Sequence, residues 1–233
     1  MKTNTLLFII LALSILIVGC TRNECSSIKN PIDKDDCNLD KAIENKDPTT
    51  CSLIKSDIVK NSCIAEIGII KKDISICSSI EGKSRDYCIA KVAISDENFS
   101  MCNEISGTSY WSDICNKDLA IKKNESSRCV KIINMLEKDS CYDTIAKNTL
   151  NVETCFYIYN QTTHDLCVRN IAVATLNESL CEETRTVMIG DLCYSKIAQI
   201  KVNESICNGA SYWDVKNACK AMVKAILNET NKN

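Results

Sequence analysis

Sixteen cysteines stand in this chain as eight evenly spaced pairs: Cys25 and Cys37, Cys51 and Cys63, Cys77 and Cys88, Cys102 and Cys115, Cys129 and Cys141, Cys155 and Cys167, Cys181 and Cys193, and Cys207 and Cys219. Within a pair the step is 11, 12 or 13 residues, and from one pair to the next it is always 14. The unit is therefore a repeat of about 26 residues, running from near residue 22 to near residue 228. A period of that size specifies a stacked array of small units, each of which buries its apolar face against a neighbour. It does not specify a globule around one catalytic cleft.

Aligning the copies on the second cysteine gives a sharp internal pattern. Two positions before it stands Asp or Asn in every copy: Asp35, Asn61, Asp86, Asp113, Asp139, Asp165, Asp191 and Asn217. Four positions after it an apolar residue recurs (Ile67, Val92, Leu119, Ile145, Ile171, Ile197, Val223), with Lys41 the exception. Five positions after it comes Ala or Gly (Ala42, Gly68, Ala93, Ala120, Ala146, Ala172, Ala198), with Lys224 the exception. Three positions after the first cysteine Ile recurs, at 28, 54, 80, 105, 132 and 158. A second set of Asp/Asn, at Asp47, Asp73, Asn98, Asn151, Asn177 and Asn203, precedes the first cysteine by four, with Asn124 displaced by one.

Asp and Asn side chains accept the unpaired N–H groups of a helix start, so both sets read as N-caps and each repeat has two helix starts. Helix A is short and carries the first cysteine and its Ile. Helix B is longer and carries the second cysteine, the apolar residue one turn on, and the small residue that admits a close neighbour. β-Alternation is absent, and the chain has only two prolines and six glycines. The expected fold is all-α: a right-handed, solenoid-like array of about eight disulfide-stapled helical hairpins. In the end copies, Lys41 in the first and Lys224 in the last read as polar caps, and Pro31 is expected to break the A–B segment of the first copy. Asn228-Glu229-Thr230 reads as the opening of a further repeat that does not follow.

Met1 to Val18 has a short charged start and an apolar run, Leu6 to Val18, broken only by Ser14. That length suits a signal-peptide core and is short for a membrane span of about 20 residues. Ile17-Val18-Gly19-Cys20 resembles a lipobox, and Cys20 stands outside the pairing rhythm. The competing readings are an ordinary secretory signal or an uncleaved N-terminal anchor. The expected organisation is a signal peptide at 1–19, a lipidated N-terminus and spacer at 20–24, the repeat domain at 25–228 and a frayed tail at 229–233. Each reading puts the repeats outside the cytoplasmic membrane, where thiols oxidise.

Full pairing is then expected. Bridging within each repeat uses all sixteen cysteines, whereas bridging across the 14-residue step strands Cys25 and Cys219. Parity favours the first scheme and the invariance of the 14-residue step favours the second, so spacing alone leaves connectivity open. No two cysteines stand nearer than Cys20 and Cys25, which argues against zinc, iron–sulfur or Cys-x-x-Cys redox chemistry.

Asn98, Asn124, Asn160, Asn177, Asn203 and Asn228 open Asn-x-Ser/Thr sequences, which are acceptors for N-linked glycan or, at the caps, simply capping residues. Asn160 is expected in an A–B loop. Tyr110-Trp111 and Tyr212-Trp213 are expected in A–B loops as partner contacts or as core filler. His164 is expected at the surface. Nothing calls for a cofactor, a metal site, a catalytic residue or an enzymatic activity, and a net charge of −2 gives no nucleic-acid footprint. The expected partners are the membrane, through a lipid anchor or the uncleaved segment, and a protein, peptide or glycan ligand.

The unit Asp73 to Ile80 followed by Arg85 to Ala93 resembles the cysteine-rich tandem-repeat surface proteins of archaea and some bacteria, and the likeness covers residues 25 to 227. It is more distantly similar to tetratricopeptide and Sel1-type arrays, whose Trp/Gly/Tyr/Pro signatures are absent. The resemblance implies a cell-surface location and a helical fold, and no activity.

Overall fold

A computed structural model describes residues 24–107 and 109–230. Every regular element among them is helical. The B helices are α1 (Pro31–Asn45), α2 (Asp57–Lys71), α3 (Gly82–Ser95), α4 (Tyr110–Lys123), α5 (Met135–Thr149), α6 (Gln161–Thr175), α7 (Val187–Lys201) and α8 (Trp213–Thr230). Each is preceded by a short A segment of four to six residues, either a single α turn such as Ile74–Cys77 or a 3₁₀ turn such as Thr50–Leu53. The chain divides into two units, Met1–Val92 and Ala93–Asn233. The first holds three of the disulfides and the second five.

The disulfides decide between the two pairing schemes that spacing left open. In the first unit Cys25 is bonded to Cys37, Cys51 to Cys63 and Cys77 to Cys88. In the second unit Cys102 is bonded to Cys115, Cys129 to Cys141, Cys155 to Cys167, Cys181 to Cys193 and Cys207 to Cys219. Every bridge thus stays within one repeat, with Cα–Cα distances of 5.6–5.8 Å, and none crosses the 14-residue step. Each ties an A turn to its own B helix: Cys115 lies in α4, Cys141 in α5 and Cys193 in α7, all three buried. On the chain-entropy account a bridge closing a loop this short contributes about 3 kcal/mol. That matters because a four-residue turn has no helical stability of its own.

The core repeats with the sequence. The Ile three after the first cysteine closes the A turn with its N–H on that cysteine's carbonyl, as Ile132 does on Cys129 at 3.1 Å. Ile54, Ile80, Ile105, Ile132 and Ile158 are all buried. Ile67, Val92, Leu119, Ile145, Ile171, Ile197 and Val223 are fully buried in the B helices. The small residue beside them makes room for sulfur. A Cβ on Gly68 would stand 2.8 Å from Cys88 Sγ and 3.2 Å from Cys77 Sγ, the disulfide of the following repeat. Ala120 and Ala146 are likewise buried in one cluster with the disulfide of Cys129 and Cys141 and that of Cys155 and Cys167.

The invariant 14-residue step has a backbone cause. Each of the first seven B helices ends in a left-handed residue nine positions after its cysteine: Lys46, Lys72, Glu97, Asn124, Leu150, Leu176 and Val202, with φ of 50–54°. The next residue sends its N–H back to the carbonyl of the small residue five positions earlier, for example Asp73 to Gly68 and Asn203 to Ala198, both at 2.9 Å. This is a Schellman closure. That same residue then caps the next A turn with its side chain: Asp73 accepts from Ser75 N–H, Asn98 from Ser100, Asn151 from Glu153, Asn177 from Ser179 and Asn203 from Ser205. Small residue, left-handed residue, cap and cysteine are thus locked in count. The variation from 11 to 13 falls in the A–B connection, at the pairs Cys77 with Cys88 and Cys102 with Cys115.

Three expectations are corrected. Pro31 does not break a segment; it is the first residue of α1, where its missing N–H costs nothing, behind the N-cap Asn30. Asn228, Glu229 and Thr230 do not open another repeat but continue α8. The Asp/Asn set two before the second cysteine does not cap its own helix. The B helices start earlier, at N-caps such as Asn30, Ser56, Ser109, Asn134, Asn160 and Thr186, and Asp35, Asp139, Asp165 and Asp191 lie in the second helical turn.

Candidate functional site

The carboxylates two before the second cysteine reach forward to the next repeat. Asp35 accepts the N–H groups of Lys55 and Ser56 at 2.8 and 2.9 Å. Asp113 accepts those of Ile133 and Asn134, both at 2.8 Å, and Asp139 those of Tyr159 and Asn160 at 2.9 and 2.8 Å. Asp191 accepts those of Ser211 and Tyr212, both at 2.7 Å. Each pair of donors lies in the A–B connection just ahead of the next B helix, 20 and 21 residues on. A buried carboxylate with two charge-assisted hydrogen bonds is a strong clamp. Its geometry fixes the path of the connection. Backbone N–H groups of Lys55 and then Ser56 hold the Asp35 carboxyl below its ordinary range against the opposing effect of burial.

The clamp at Asp165, in the second unit, is different. Arg185 N–H reaches Asp165 Oδ1 at 2.7 Å, and His164 Nδ1 lies 2.9 Å from the same oxygen. His164 is 2% exposed and stacks on Phe156 with ring centroids 5.9 Å apart, so it is a core residue and not the surface residue expected. Burial pushes the Asp165 carboxyl up, but the Thr186 side chain, His164 and the Arg185 N–H together bring it below its ordinary range.

The clamped connections carry exposed apolar side chains. In the second unit Ile133 follows Cys129; Phe156, Tyr157 and Tyr159 follow Cys155; Tyr212 follows Cys207. Tyr159 is 77% exposed although its N–H is held on Asp139. Of the four aromatic residues singled out by sequence, Tyr110, Tyr212 and Trp213 are exposed, and Trp111 is half-buried with its ring edge-on to Tyr110 at 5.3 Å. Tyr110 and Trp111 open α4 and Trp213 opens α8, so they sit in helical first turns rather than in loops. Tyr157 and Tyr159 were missed. Their spacing from Cys155, two and four residues, puts them in the same connection and was the available signal. Tyr157 lies stacked on Tyr142 at 5.4 Å.

The Asn-x-Ser/Thr residues fall into four settings. Asn98, Asn177 and Asn203 cap A turns, each accepting both the N–H and the hydroxyl of the Ser two residues on. Asn160 is not in a loop but caps α6, accepting from Thr163 N–H at 3.0 Å. Asn124 is the left-handed residue after α4, and Asn228 lies in α8. Cys20, the N-terminal segment 1–23 and the tail 231–233 lie outside the described residues.

A shallow cavity in the second unit is bounded by Glu178, Glu182, Tyr194 and Ile206. There Tyr194 donates its hydroxyl to Glu182 at 3.1 Å, and burial and then that carboxylate push its phenol up to about 12. Among the described residues no group of three or more His, Cys, Asp or Glu is placed to hold a metal ion, and no helix is long and apolar enough to cross a membrane. Fifteen of the sixteen paired cysteines are buried, with Cys37 half-buried. Eight disulfides mark an oxidising location outside the cytoplasm. No protein-family model, curated protein or solved structure matches the chain.

Proposed function

We propose that the chain is a cell-surface, membrane-tethered repeat protein that acts as a non-catalytic binding or scaffold module. The observation that carries this is the recurrence of exposed Ile133, Tyr157, Tyr159 and Tyr212 at the A–B connections of the second unit. A spacer that only sets distance gains nothing from aromatic side chains held in water. Rigid, amphipathic Tyr and Trp are the residues that anchor partners. The clamps support the same reading, because they fix the backbone beneath Tyr159 and Tyr212, so little ordering entropy is lost on contact. The ligand class is a protein, peptide or glycan.

The tether is read from Leu6–Val18 and Cys20. In native membranes Cys20→Ala is expected to release the protein to the soluble fraction. Retention of that variant on the membrane would replace lipidation by an uncleaved anchor. The binding role is tested by placing a photo-crosslinking residue at Tyr159 or Trp213 on intact cells, with a control at exposed Ser140. Discrete adducts at Tyr159 or Trp213 and none at Ser140 are expected. Equal labelling at all three positions would leave the spacer reading.

A further inference from the structure

The first repeat departs from the others on the face that elsewhere forms core. One position after the second cysteine the chain has Asn38, where five copies have Ile64, Ile89, Tyr142, Val168 or Tyr194 and two have Asn116 or Lys220; Asn116 donates its amide to the Ser112 carbonyl at 2.9 Å, and four positions after the cysteine Lys41 stands where the other copies are apolar. On α1 the residues Lys34, Asn38, Lys41 and Asn45 are spaced by four, three and four, which puts them on one face. That face lines a cavity of about 490 Å³ whose other wall is the A turn of the second repeat, with Thr50 and Lys55. All of it lies within residues 25–55.

An end cap needs only to be polar and solvated. This one is more than that. Asn38 is 4% exposed, and its Nδ2 is buried without a hydrogen-bond partner among the described residues. An orphaned buried donor of this kind destabilises the fold until an acceptor meets it. No carboxylate among the described residues is ion-paired with Lys34, Lys41 or Lys55, whereas Lys224 in the last repeat is paired with Glu204 at 3.4 Å. Asp35 is the acid beside Lys34 and Lys55, but its two oxygens are taken by backbone N–H groups.

We infer that this cavity is a binding site for a phosphate-class anion, held by Lys34, Lys41 and Lys55, with the Asn38 amide, closed to solvent in this structure, turning toward the anion as a further donor. Three ammonium groups and an amide around one space suit a tetrahedral, multiply charged oxyanion better than a planar monoanionic carboxylate. The cavity lies in the size range of small-molecule sites, so the phosphate is expected to be carried on a larger polar group. A lipid headgroup and a soluble phosphate ester offer the same chemistry. The inference stands independently of the tether.

The test is isothermal titration of the oxidised full chain with inorganic phosphate and, separately, with vesicles of phosphatidylglycerol in phosphatidylcholine. A double variant, Lys34→Gln with Lys41→Gln, is compared with Lys83→Gln, a control on exposed Lys83 outside the cavity. Saturable binding that weakens at least tenfold in the double variant and is unchanged in Lys83→Gln is expected. Loss of vesicle binding in parallel assigns the phosphate to a lipid; binding of inorganic phosphate alone assigns it to a soluble ester. Asn38→Leu supplies a second arm that does not depend on charge: phosphate binding should fall while thermal stability is kept or raised, because the orphaned donor is gone. Absence of saturable binding to both probes, or equal binding by the wild type and the double variant, would overturn the inference.

Discussion

Asp139 holds the N–H groups of Tyr159 and Asn160 on its two carboxylate oxygens, so a side chain in one B helix sets where the next begins. Asn160 in turn caps α6 with its own side chain. Repeat-to-repeat coupling therefore runs through a polar contact as well as through the apolar stack. Asp139→Ala should lower stability by about 2 kcal/mol, since it removes two charge-assisted bonds and leaves their donors to find water. Asp139→Asn, which keeps one acceptor, should cost less. Chemical denaturation of both variants measures this.

Asp35 and Asp73 should part company on substitution. Both carboxyls are held below their ordinary range, Asp35 by Lys55 and Ser56 N–H and Asp73 by the Ser75 hydroxyl and N–H. A carboxyl lowered on folding contributes stability that is present above its unfolded pKa, about 4, and is lost as pH falls through the lower folded value. Stability should therefore be level from about pH 5 to 8 and fall below about pH 4. Asp73→Asn should weaken that acid dependence with little loss at neutral pH, because Asn98, Asn177 and Asn203 perform the same capping. Asp35→Asn should lose stability at neutral pH, because one of the two accepting oxygens becomes an NH2 group that faces a backbone N–H donor. Thermal melts across pH separate the two.

The left-handed helix ends offer a stabilising change. Leu150 has φ of 53° and is half exposed. Leu150→Gly should raise stability by about 0.5–1 kcal/mol, as relief of the left-handed strain exceeds the added freedom of the unfolded chain. Gly68→Leu should act in the opposite direction, by about 2 kcal/mol or more, because the new side chain would meet the sulfurs of Cys77 and Cys88. Denaturant midpoints of the two variants should move in opposite senses.

The array's architecture was largely legible in the sequence, because the cysteine period, the buried Ile set and the small residue all recur in register with helical geometry. The capping role of Asp73, Asn98 and Asn203 was legible for the same reason. The role of Asp35, Asp113, Asp139 and Asp191 was not. N-cap chemistry and a forward clamp both require a short acceptor, and only three-dimensional placement shows that the donors lie 20 residues away rather than two. The invariant 14-residue step was a fair hint of a rigid connection, but its cause is a Schellman closure feeding an Asx cap and not a bridge from Cys115 to Cys129 or from Cys141 to Cys155. His164 was misjudged because a lone imidazole gives no periodic signal, and its burial depends on Phe156 and Asp165 closing around it.

Disulfide reduction should be graded. Cys37 is half-buried while the other paired cysteines are buried, so the bridge from Cys25 to Cys37 is the one a reductant can reach in the folded chain. Brief treatment with mild reductant, followed by alkylation and peptide mass analysis, should label Cys25 and Cys37 first. Uniform labelling of all eight pairs would mean that reduction proceeds through global unfolding.

The most direct test of the stapled-repeat account is disulfide mapping of the protein purified under non-reducing conditions from its native source. The account predicts eight bridged peptides, each joining the two cysteines of one repeat, as in Cys51 with Cys63 and Cys181 with Cys193. Bridges across the 14-residue step, such as Cys37 with Cys51 or Cys193 with Cys207, or free thiols among these sixteen cysteines, would contradict it.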